Sequence, residues 1–166
     1  MNTDQPQGLN LLAKVVIVLA IVMIIVGIVW HGIHPGTLDR IWQDLIARPD
    51  GQMSLRFILQ PTMATIAAYR DGMKDVRAGR TPFLRAVFWE PAVRAQRLRE
   101  ALNSTAQIML VGMVMDAIYQ YKVFGTFYPA EALDVALLLA LVPYLLLRGT
   151  IERIAARVLS KKANRG

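Results

Sequence analysis

Residues 11–30 read LLAKVVIVLAIVMIIVGIVW, a run whose single charge is Lys14. At about 1.5 Å per helical residue the run measures about 30 Å, the thickness of the hydrocarbon core of a bilayer. A helix that is apolar on every side has no face for water, so its solvent is lipid. The run is longer than the roughly 7–15 residues of a signal-peptide core, and no small-x-small site follows it. It is therefore expected to stay in place as a transmembrane helix.

Two further apolar runs, residues 105–124 and 129–147, approach the same length. The link between them, Gly125-Thr126-Phe127-Tyr128-Pro129, is short and rich in turn formers and aromatics. It predicts a tight helical hairpin with an aromatic belt at the membrane surface. The composition agrees: 55% of the 166 residues are hydrophobic, yet the formal charge is +7. There is no cysteine, which removes disulfides, thiolate nucleophiles and Cys-ligated metals. The fold class is thus an all-α membrane protein with three transmembrane helices and amphipathic helices on one face.

Charge orients the expected fold. Residues 31–104 carry eleven Lys/Arg against seven Asp/Glu, and residues 148–166 carry six against Glu152 alone. Basic segments resist translocation, so both read as cytoplasmic. With three spans, residues 1–10 then form a short external N-terminus. The middle segment reads as basic amphipathic helix along the cytoplasmic surface, beginning with a stripe of Leu38, Ile41, Trp42, Leu45 and Ile46. Gly79 predicts a helix C-cap, and Thr81-Pro82 an N-cap with proline at the first helical position. An alternative lets Leu55–Tyr69 enter the bilayer. If it crossed, four spans would put both termini inside.

Polar groups within the apolar runs are candidate functional residues. Asp116 lies well inside the second run, where a carboxylate costs roughly 2.5–3.5 kcal/mol. Folding the hairpin about Thr126 and Phe127 sets Lys122 level with Glu131 and Tyr119 level with Asp134. That register predicts an interfacial ion pair and a tyrosine–carboxylate bond. With the N-terminus outside, Lys14 joins Asp116 and Asp134 in one intramembrane cluster. Ala132, Ala136 and Ala140, spaced by four, form a small-residue ridge for close packing, with Gly112 and Ala117 as its expected partners.

Other motifs carry less chemistry. His31 and His34 are interrupted by Gly32 and Pro35-Gly36, and mark the interfacial end of the first span. Residues 71–80, DGMKDVRAGR, resemble the opening of the CDP-alcohol phosphotransferase signature. The two further aspartates that signature needs are missing, since only Glu90 and Glu100 lie between Arg80 and Asp116. A phosphate-binding glycine loop, a nucleophile elbow and a zinc-protease motif are likewise absent from the sequence. No metal and no cofactor is implied. Interspersed acids and membrane tethering disfavour nucleic acid as a partner. Anionic lipid suits the basic segment better, with Arg70, Lys74, Arg77 and Arg80 on the headgroups.

The strings RFILQP (56–61), RDG (70–72), DAIYQ (116–120), FYPAE (127–131) and PYLLLRG (143–149) resemble a group of small, uncharacterised multi-pass membrane proteins of proteobacteria. The resemblance spans about residues 50–155 and implies a bacterial inner-membrane location without an assigned activity. The function expected is that of a non-enzymatic accessory or scaffold subunit, packing against other membrane helices or copies of itself. A small oligomeric proton-linked carrier using Asp116 is the alternative, and a lipid-modifying enzyme around Asp71 a more distant one.

Overall fold

The computed structural model describes residues 8–31 and 55–163. The expected stripe over 38–46, His34, the first seven residues and the last three lie outside them. All regular structure among the described residues is helical: α1 (Leu11–His31), α2 (Leu55–Arg77), α3 (Phe83–Trp89), α4 (Pro91–Phe124), α5 (Pro129–Ala136) and α6 (Val142–Ala163). A π-helical turn, Leu137–Leu141, joins α5 to α6. Three helices are long and apolar enough to cross a membrane: α1, α4 and the α5–α6 unit. The protein is an all-α membrane protein.

Helix α1 starts with Asn10, whose side-chain oxygen accepts the Ala13 N–H at 2.7 Å and caps the first turn. The Asn10 N–H bonds to Asn103 Oδ1 at 2.9 Å, and Asn103 Nδ2 reaches Gly8 O at 3.1 Å. At its other end, Gly27 lies so close to Ala130 that an added Cβ would stand 3.2 Å from the alanine methyl. Helix α1 therefore runs parallel to α4, from Asn103 toward the hairpin. The start of α1 thus lies at the same end of the helix bundle as the start of α4.

Helix α2 lies against α4. Gln60 donates to Ile108 O at 3.3 Å and packs on Gly112, while Asp71 lies at Ser104 and Asp75 at Arg97. Helix α2 thus runs antiparallel to α4 and reaches well into the 105–124 span. It packs along that span with Gln60, Ala64, Ala68 and Gly72 facing protein, while Ile58, Leu59, Met63 and Ile66 face outward.

The core is built from positions spaced by four. On the α5–α6 unit Ala132, Ala136, Ala140, Tyr144, Arg148 and Glu152 are all buried. In a straight α-helix such a stripe drifts by about 40° every four residues. The π turn in its middle resets that drift and keeps the stripe on one side. The turn also accommodates Pro143, which has no N–H for the ladder; Val142 N–H bonds to Leu137 O, one residue further back than in an α-helix. The opposing ridges are Gln60, Ala64, Ala68, Gly72 and Asp75 on α2, and Arg97, Ala101, Thr105, Met109 and Met113 on α4. Within the bilayer these ridges consist mainly of small or apolar residues. At its basic face they become charged.

Candidate functional site

That charged end is the most elaborate polar construction in the protein. Asp75 sits at its centre, 2% exposed. Its Oδ1 accepts from Arg80 Nη1 at 3.1 Å and Arg97 Nη1 at 3.0 Å. Its Oδ2 accepts from Arg148 Nε at 3.0 Å and Nη2 at 2.5 Å. Glu100 bridges the same guanidiniums, taking Arg80 Nη2 at 2.7 Å and, more loosely, Arg97 and Arg148 at 3.3 Å each. Arg97 also donates to Thr81 O at 2.5 Å, so the loop after α2 is tied into the cluster.

Local chemistry delivers these groups. Helix α2 ends in a Schellman turn: Gly79, at φ 64°, donates to Val76 O, and Arg80 N–H donates to Asp75 O. The turn bends Arg80 back over Asp75. Helix α3 begins at Phe83 with Pro82 as its cap residue, one position later than Thr81-Pro82 implied, and without a side-chain cap of its own. Glu152 of α6 substitutes for that cap, accepting Phe83 N–H at 2.5 Å. The Phe83 ring in turn lies under the Arg148 guanidinium, 4.4 Å from its carbon. Tyr144 accepts from Arg148 Nη1 at 2.7 Å and donates to Asp71 Oδ2 at 2.6 Å; Ser104 donates to the same oxygen at 2.6 Å.

Three guanidiniums here face four carboxyls. Glu152 Oε1 lies 3.7 Å from Arg148 Nε and has no hydrogen-bond partner among the described residues. A cluster that is internally bonded in this way clamps α2, α4 and α6 together. Asp75 acts as an anion shared by arginines, and Asp71 is held by two hydroxyls.

The residues singled out from sequence divide. Ala132, Ala136 and Ala140 are fully buried, and Gly112 faces Ala136. Ala117 faces α1 instead, beside Val22 and Met23. Asp116 is completely buried and accepts from Gln120 Nε2 at 2.7 Å, while Gln120 Oε1 takes Tyr128 N–H at 2.6 Å. This Asp116–Gln120–Tyr128 chain folds the link back onto α4. The hairpin is consequently symmetric about Phe124, with Gln120 opposite Tyr128, Gly112 opposite Ala136 and Glu100 opposite Arg148.

That register undoes both expected hairpin pairs. It sets Glu131 level with Ala117 and Asp134 level with Val114. Lys122 is exposed and Glu131 buried, and no ion pair joins them; nor does Tyr119 bond to Asp134 among the described contacts. The Lys14 cluster fails for a larger reason. Lys14 is exposed near the Asn103 end of α1, about 20 Å along the axis from Gly27 at the hairpin end. Arg70, Lys74 and Arg77 are exposed as expected of headgroup contacts, but Arg80 is turned into the ion cluster.

Sequence reasoning missed Arg97, Glu100, Tyr144, Arg148 and Glu152. For Tyr144, Arg148 and Glu152 the signal is the spacing of four that continues the alanine ridge past Ala140, masked because charged residues at the edge of a basic tail resemble a solvated face; Arg97 and Glu100, on α4, carry no such signal. No protein-family model matches the chain, and no curated protein or solved structure gives a match.

Proposed function

We propose that the protein is a non-enzymatic accessory or scaffold subunit of the bacterial inner membrane, with its basic face and both termini toward the cytoplasm. One observation carries the reading. Helix α1 packs inward through a narrow seam of Ala13, Val16, Met23 and Gly27, while Val18 remains 61% and Ile25 55% exposed. The ion-paired unit of α2, α4 and α6 thus holds out an apolar helix suited to packing against other membrane helices. The internal pairing of the ion cluster fits a clamp better than a catalytic centre, whose groups must meet substrate. The charge bias of residues 31–104 and 148–166 supports the cytoplasmic assignment.

The test is extraction from native membranes in mild detergent, followed by native mass spectrometry. A larger complex of fixed stoichiometry is expected, and Val18→Trp with Ile25→Trp should release the partner without lowering thermal stability. Recovery of a single chain alone would defeat the proposal. A homo-oligomer whose proton flux disappears on Asp116→Asn would establish a carrier instead.

A further inference from the structure

The acids of α2 point inward: Asp71 is held by Tyr144 and Ser104, and Asp75 by the three arginines. This leaves Arg70, Lys74 and Arg77, which recur at helical spacing, exposed on the outer side. Among the described residues none of the three is in an ion pair. They border a groove of about 560 Å³ together with Tyr69, Met73 and Ala78. At Tyr69 and Met73 this groove adjoins an apolar one of about 300 Å³ against Ile151, Ile154 and Val158 of α6. Toward the bilayer centre, exposed Ile66, Met63 and Leu59 continue the apolar track.

We infer that this outer face of α2 is a binding site for one anionic phospholipid. The order of chemistry along the helix matches such a molecule. Three cations stand at the membrane face for a phosphodiester, Tyr69 stands at the glycerol level, and an apolar track descends where an acyl chain lies. The lipid phosphate offers the negative charge that α2's own carboxylates, engaged elsewhere, do not. Long basic side chains extend toward the interface while their stems cover apolar surface, so even Arg70 can share the headgroup.

The intact protein, delipidated in detergent, would be titrated with phosphatidylglycerol and, separately, with phosphatidylcholine, and bound lipids counted by native mass spectrometry. One phosphatidylglycerol is expected to bind in preference to phosphatidylcholine. Arg70→Gln, Lys74→Gln and Arg77→Gln together should weaken it on the order of a hundredfold. Arg153→Gln, Arg157→Gln and Lys161→Gln together, on α6, serve as the charge-matched control and should have a small effect. Tyr69→Ala should weaken both lipids. Unchanged melting temperatures establish that the variants fold. The inference falls if the two lipids bind alike, if the triple variant binds normally, or if the α6 control loses as much. It falls too if no lipid enters because another copy or another segment of the chain covers the groove.

Discussion

Arg148 donates both Nε and Nη2 to a single oxygen of Asp75, at 3.0 and 2.5 Å, across 73 residues of sequence. This contact fastens α6 to α2 at the one level where the packing ridges change from small residues to charges. Removing one member of a buried ion pair leaves the other uncompensated, at a cost of about 3–5 kcal/mol. Arg148→Ala is therefore expected to lower stability by that amount, read from thermal unfolding in detergent. Arg148→Met combined with Asp75→Leu should recover part of the loss, since an apolar pair needs no counter-charge. A double variant no better than the single would contradict this account of the cluster.

A side chain at Gly112 would meet Gln60, whose amide occupies the space where a Cβ would be. Gln60 is long enough to yield to one methyl group, so Gly112→Ala should cost about 1 kcal/mol or less. Gly112→Leu would force α2 away from α4 and should cost about 1–3 kcal/mol or more, as overpacked cores do. Gln60→Ala should relieve the alanine variant and fail to relieve the leucine one. Melting temperatures of the five proteins decide the matter.

The parallel course of α1 and α4 is open to direct crosslinking, because the chain has no cysteine of its own. Asn10→Cys with Asn103→Cys should form a disulfide in native membranes. Lys14→Cys with Asp134→Cys should not, being separated by about 10 Å along the helix axis, beyond the reach of a disulfide. Membrane-impermeant labelling of Gly8→Cys should come from the side that labels the C-terminal tail, and Thr126→Cys from the other. Labelling of residues 8 and 126 from one side would overturn the arrangement of α1.

The outline of the hairpin was legible because each of its parts is local. Gly125 at φ 65°, Pro129 at a first helical turn and the alanine ridge follow from short-range sterics and spacing. Its register was not, since five residues of offset depend on Gln120 reaching Tyr128 and Asp116. The packing of α2 along α4 was not legible for a related reason. Hydropathy averages both faces of a helix, and half of α2 is polar or small because it touches protein.

By itself, the sequence determined that lipid is the solvent: runs of about twenty apolar residues admit no other, because water-free backbone must bond to itself in helices. It also determined which segments are basic, since charge is counted along the chain and needs no partner. Tertiary structure alone decided which charges meet. Asp75, Arg97 and Arg148 lie far apart in sequence, and only the parallel and antiparallel courses of α2, α4 and α6 bring them within hydrogen-bonding distance. A residue's type states what it can bind, and the low dielectric inside the fold makes finding that partner obligatory.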